Sequence, residues 1–152
     1  MRTLGERYWA KDDKYNYIEG LKGELGTGDY NTERIIEGWG EDTAAYVAAS
    51  YNGGGMNDWY LPNNAEMVLV YKNLHKKDKK LRKKSNWDRI TVGIVDEGAS
   101  YYWTSEMSGK GKACAVDFTP LAGTATDKEM CTYEFWGKTY YSKERVRPIR
   151  KF

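Results

Sequence analysis

Pro62 and Asn63 stand directly before an apolar run, and Glu66 follows Asn63 by three residues. An Asn at this place can accept a hydrogen bond from the amide three residues on, while the Glu side chain reaches back to the Asn amide. Met67, Val70, Tyr71 and Leu74 then recur at i, i+3, i+4 and i+7, and Ala65, Val68 and Leu69 widen the stripe. The pattern predicts a helix from Asn63 that is mostly buried. Such a helix must be covered by other elements of one domain, so its neighbours decide the fold.

Two helices are expected before it. One begins at the capping pair Asn31-Thr32 and carries Ile35 and Ile36; the other runs from Thr43 to Tyr51 and stops at Gly53-Gly54-Gly55. After it come strand-like stretches: Ser100–Ser105, Ala113–Phe118 and Arg145–Arg150. In the last of these Val146 and Pro148 share one phase, Arg145, Arg147 and Ile149 the other, and the proline restricts it to an edge or a strand end. Loops are expected over Met107–Lys112 and Thr119–Glu144. Helices followed by strands predict an α+β domain, with two to three helices packed on a small antiparallel sheet with long loops. The 152 residues fit one domain, 1–152.

The aromatic residues bear on function. There are 13 Tyr and 6 Trp against 3 Phe, which favours half-exposed faces and binding surfaces as much as core. Five of them (Tyr133, Phe135, Trp136, Tyr140 and Tyr141) lie in the late loop beside Glu134, Lys138, Lys143 and Glu144. Exposed rings leave apolar area in water at roughly 25 cal/mol per Å², so they either pack on the domain or meet a partner. Tyr102, Trp103 and Phe118 are expected in the core, as is Trp59, beside the third helix. Arg145, Arg147 and Arg150 are expected to pair with acidic residues that pin the terminal strand.

Seven of the 24 Lys and Arg residues fall in His75–Lys84 beside one of the 22 acids, so a mildly acidic body carries one basic segment, Lys76–Lys84. That run is either a solvated face or a polyanion site. Cys114 and Cys131 are equally compatible with one disulfide and with two buried thiols. No segment approaches the length of a membrane-spanning helix, so no membrane partner is expected. A nucleophile elbow, a P-loop, a dinucleotide fingerprint and a zinc-protease helix are all missing, which reads as a non-enzymatic chain.

Five separated segments carry a resemblance. Gly26-Thr-Gly-Asp-Tyr-Asn-Thr32 resembles GxGxxNT. Asn57-Asp-Trp-Tyr-Leu-Pro62 with Asn63-Asn-Ala-Glu-Met67 resembles DWYLPS-x-x-EL. Tyr102-Trp-Thr-Ser-Glu106 resembles YWSSTE. Ala113–Phe118 and the closing Arg145-Val-Arg-Pro-Ile-Arg-Lys-Phe152 resemble a strand AW-x-V-x-F and a terminal VRPVR-x-F. In this order they resemble the C-terminal domain of the Legionella collagen-like adhesin, a family that includes variable proteins of diversity-generating retroelements. Cys114 stands where that strand usually has Trp. The lead before Gly26 is short, so the strand that usually opens the fold is expected to be incomplete or differently built. The calcium motifs of sugar-binding C-type lectins are missing, so neither metal nor cofactor is expected.

The resemblance implies a C-type-lectin-like fold and a ligand face on the late loops and strands of a surface adhesin or receptor-binding domain. It implies a bacterial cell surface or a phage virion, although the opening MRTLGERYWAKDDKYNY holds no signal-peptide-like stretch. The expected partner is a glycan or a protein, with nucleic acid disfavoured. The expected ligand-binding residues are Tyr101, Met107, Lys110, Lys112, Cys114, Tyr133, Phe135, Trp136, Lys138, Tyr140, Tyr141 and Lys143. The alternatives are a structural or assembly module of a phage or pilus tip, with self-association, and a polyanion binder using Lys76–Lys84.

Overall fold

The computed structural model describes residues 4–10, 16–70, 101–117, 129–134 and 143–151. Of Glu6, Asp117 and residues 129–134 it describes the backbone alone. In chain order the elements are β1 (Glu6–Arg7), α1 (Gly28–Trp39), α2 (Ala44–Ala49), a 3-10 turn at Gly53–Gly55, α3 (Asn64–Val70), β2 (Tyr101–Gly109), β3 (Lys112–Asp117), β4 (Glu129–Glu134) and β5 (Glu144–Arg145). Helices come first and most strands later, an α+β arrangement.

The sheet has five strands in the order β1-β5-β2-β3-β4. β2, β3 and β4 form an antiparallel meander, and β1 pairs antiparallel with β5. The β2–β5 contact is parallel, with Tyr102 opposite Arg145, so the sheet is mixed rather than purely antiparallel. An opening strand does exist, but it is two residues long. Two tryptophans fasten it. Trp9 Nε1 donates to the carbonyl of Thr104 at 2.7 Å, and Trp103 Nε1 donates to the carbonyl of Arg7 at 2.7 Å. Both side chains are buried, and each ring takes about 150–250 Å² out of water, roughly 4–6 kcal/mol before entropy is counted.

Both faces of the sheet are covered. Trp103, Met107, Ala113 and Ala115 join Trp9, Ile35, Leu61, Val146 and the alanines of α2 in one core cluster. Tyr102 and Val116, which alternate with them, join Met67 of α3 in a second. This follows from the period of two along β2 and β3.

The capping box of α3 is formed in full. Asn63 Oδ1 accepts from the Glu66 amide at 3.0 Å, and Glu66 Oε2 accepts from the Asn63 amide at 2.9 Å. Met67 is buried, but Leu69 is exposed, so the apolar stripe is narrower than expected; Tyr71 and Leu74 lie outside the described residues. α1 starts at Gly28 rather than at Asn31-Thr32, because those side chains serve distant backbone instead of a local cap. Asn31 Oδ1 accepts from the Lys22 amide and its Nδ2 donates to the Lys22 carbonyl, both at 2.7 Å. Thr32 Oγ1 donates to the Gly28 carbonyl at 2.8 Å and accepts from the Leu61 amide at 3.0 Å. α2 is capped by Thr43, whose hydroxyl accepts from the Tyr46 amide.

Three expectations about the second half are corrected. Met107–Lys112 is not a loop: β2 continues to Gly109 and turns through Lys110-Gly111 into β3, with Gly111 at φ +64°. Thr119–Glu144 is not one loop, since it contains β4 and reaches β5. The terminal stretch is a strand only at Glu144–Arg145, plus one bridge between Ile149 and Tyr60. Val146, Arg147 and Pro148 are all buried, so the two-residue alternation fails there.

Candidate functional site

Two surfaces draw attention. The first is the end of the sheet at the β2–β3 turn. Lys110 and Lys112 are exposed there. Lys112 pairs with Glu134, the last residue of β4, and Ala113 pairs with Tyr133. Glu134 immediately precedes Phe135 in the sequence. This end gathers the backbone of Tyr133 with Lys110 and Lys112.

The other expected site residues that the structure describes do not join them. Tyr101 lies at the opposite end of β2, paired with Asp117, roughly 25 Å away at 3.4 Å per residue; its ring is half-buried against the main core. Lys143 is exposed next to β5 at that same far end, with Nζ 4.8 Å from the centroid of the Tyr8 ring. Met107 is buried, its strand position facing the main core. Cys114 is buried and disulfide-bonded. Neither side chain is at the surface, so both are corrections to the expected set. The register brackets Cys114 between Ala113↔Tyr133 and Ala115↔Met130, opposite the stretch of β4 that carries Cys131, the chain's other cysteine. Phe135, Trp136, Lys138, Tyr140 and Tyr141 lie outside the described residues, as do Phe118 and the basic run Lys76–Lys84.

The second surface is a cleft of about 400 Å³ lined by Asp29, Thr32, Glu33 and Ile36 of α1, Ala49, the segment Asn57–Tyr60, and Lys151. The chain's final residues bridge its two walls. Lys151 Nζ donates to Asp29 Oδ2 at 2.6 Å, while Arg150 donates from Nε and Nη2 to the two oxygens of Asp58, each at 2.8 Å. The Arg150 pairing matches the expected acidic partner. Arg147 is buried with the Tyr102 hydroxyl as a hydrogen-bonding neighbour, and burial depresses its pKa.

Trp59 is half-buried rather than core. Its Nε1 donates to the Gly53 carbonyl at 3.2 Å, and its ring meets Tyr51 edge-on at 5.1 Å. Behind the cleft the Tyr60 hydroxyl donates to Glu66 Oε1 at 3.2 Å; burial, and then the Glu66 carboxylate, push its pKa well above the ordinary phenol value. For Asp29, burial opposes ionisation, but the hydrogen bonds from Lys151 and from the Tyr30 amide outweigh it and hold the carboxyl below its usual value. The Arg150 hydrogen bonds do the same for Asp58. The sequence reading missed this cleft, because its residues come from four separated stretches and Trp59 reads as core.

Among the described residues no group of three or more His, Cys, Asp or Glu side chains is arranged to hold a metal ion. Among them, too, no helix is long and apolar enough to cross a membrane. The chain matches no family model, no curated protein and no solved structure.

Proposed function

We propose that the chain is a non-enzymatic ligand-binding domain of C-type-lectin-like architecture, an adhesin or receptor-binding module. Its ligand face is the sheet end at Lys110 and Lys112, together with the aromatic run that follows Glu134. The observation that carries this reading is the pairing of exposed Lys112 with Glu134, the residue that precedes Phe135–Tyr141 in the sequence. Aromatic anchors with lysine tips suit sugar faces and acidic groups on a glycan or protein partner. The fold reading is supported by the opening strand β1, which the resemblance calls for and which pairs with β5. Membership among retroelement variable proteins and residence on a bacterial surface or virion belong to the same proposal and rest on the motifs.

The test is a glycan array probed with the whole chain, with and without chelator, repeated with Lys110→Ala/Lys112→Ala and with Trp136→Ala. Binding should persist in chelator and fall about fivefold for each lysine that meets an acidic group, with thermal unfolding unmoved in the lysine variant. Undiminished binding by both variants would refute the sheet-end site.

A further inference from the structure

We propose that the cleft between α1 and the Asn57–Tyr60 segment is a second binding site, which takes an alkylammonium group such as a lysine side chain. It is independent of the sheet-end face. The cleft has two kinds of wall. Ile36, Ala49 and the ring of Trp59 supply apolar surface, and Asp29, Glu33, Asn57 and Asp58 supply oxygen acceptors. Its volume of about 400 Å³ is ample for a four-carbon stem with its ammonium, and lies within the roughly 300–1,000 Å³ of small-ligand clefts.

The protein's own Lys151 displays the recognition chemistry. Its ammonium is held by the Asp29 carboxylate at 2.6 Å, with the centroid of the Tyr60 ring 5.9 Å away. A carboxylate and an aromatic face are the two groups that together attract an ammonium. The cleft offers the same combination a second time, in Glu33 and Trp59. Asp29 is committed to Lys151 and the Tyr30 amide, and Asp58 to both arms of Arg150. The Glu33 side chain is exposed and makes no hydrogen bond or ion pair among the described residues, and the same holds for the Asn57 side chain. The Trp59 ring is already fixed by Gly53 and Tyr51, so little rotamer freedom is lost when a ligand lies on it.

Other ligand classes fit less well. An anion would face three carboxylates against one lysine on the lining. A purely apolar group would desolvate the Glu33 carboxylate without replacing its hydrogen bonds. An ammonium on an aliphatic stem satisfies both walls at once.

The proposal is tested by following amide and indole signals of the isotope-labelled whole chain during titration with four probes. These are Nα-acetyl-lysine methylamide, butylammonium, Nα-acetyl-norleucine methylamide (the same backbone without the charge) and methyl glucoside. Saturable shifts are expected at the Trp59 indole N–H and at the amides of Glu33 and Asn57 with the lysine derivative, and none with the norleucine one. If butylammonium binds equally well, the source is a free amine; if the lysine derivative alone binds, the source is a peptide. Either result supports the proposal. Glu33→Gln, a change at an exposed helix position, should weaken binding about threefold to fivefold while the unfolding temperature stays put. Trp59→Phe should weaken it roughly threefold through the poorer aromatic face. The absence of saturable shifts with either amine would overturn the proposal. So would equal shifts with the norleucine derivative, or methyl glucoside binding that Glu33→Gln leaves unchanged.

Discussion

Two glycines of one helix should respond to the same substitution with opposite signs. Gly38→Ala adds a methyl group whose nearest neighbour is Ile18 Cδ1 at 3.8 Å, an ordinary contact. Alanine is the better helix former by about 0.5–1 kcal/mol, so this variant should gain that much. Gly28→Ala enjoys a similar propensity gain at the first turn, but its methyl would lie 2.9 Å from the Asn63 amide nitrogen and 3.0 Å from the Leu61 carbonyl oxygen, and it would collide with Glu66 Oε2. The first two are backbone atoms that cannot swing aside. The third belongs to the carboxylate that closes the α3 cap. Overpacking costs about 1–3 kcal/mol, and loss of the cap adds about 1 kcal/mol. Set against the propensity gain, the net loss is about 1–3.5 kcal/mol. For a domain of this size that is a fall of roughly 2–14 °C in Tm, against a rise of roughly 1–4 °C for Gly38→Ala. Urea titration followed by circular dichroism, with thermal scans of both variants, gives the comparison. A Gly28→Ala variant as stable as the parent would refute the close docking of α1 on α3.

Three further outcomes are expected. Thr32→Val keeps the shape of the side chain but leaves the buried Leu61 amide without the hydroxyl it donates to, so urea unfolding should show a loss of about 1–3 kcal/mol. Reducing the Cys114 disulfide should lower stability by about 3 kcal/mol, the value for a closed loop of roughly fifteen residues; thermal scans with and without a reductant measure it, and identical curves would contradict it. Asp29 and Asp58 have carboxyl pKa values lowered in the folded chain, so the stability they contribute is present above the unfolded value and is lost as pH falls through the lower folded one. The segment carrying Arg150 and Lys151 should therefore loosen below about pH 4, visible as faster amide exchange at Ile149–Lys151 than at Tyr102–Ser105.

Where chemistry was local, the fold could be read from the chain alone. The α3 cap involves two hydrogen bonds between residues three apart, and Asn63 and Glu66 announce it. Thr43 caps α2 by the same short-range logic. The core places of Tyr102 and Trp103 followed from β-forming aromatic sequence. Local reading failed where a side chain serves a distant partner. Asn31 and Thr32 resemble a cap, yet they bind the backbone at Lys22 and Leu61 from inside α1. Arg147 reads as one of three arginines that pin the terminal strand to acidic residues, but it is buried beside the Tyr102 hydroxyl. Met107 reads as a loop residue because the extent of β2 is not visible: its second half, Ser105–Gly109, lacks the alternation that marks a strand. Cys114 reads as part of the strand Ala113–Phe118, and only the resemblance puts it at the ligand face. For the site, exposed Lys110 and Lys112 could be read from the sequence, whereas the cleft could not, since Glu33, Asn57, Trp59 and Lys151 meet only after the last residues cross back to Tyr60.

That crossing also bears on how the molecule can be made. β5 separates β1 from β2 in the sheet, so the N-terminal strand has no partner in the ladder until residues 144 and 145 exist. During synthesis the meander β2-β3-β4 can pair as it emerges, but the edge of β2 stays open to solvent or to another nascent chain until the closing strand arrives. The pairing of Glu6 with Arg145 joins residues far apart in the sequence, and contacts so distant along the chain make for slow, late closure. A chaperone that shields the exposed side of β2 would therefore act in the interval before residue 145 leaves the ribosome.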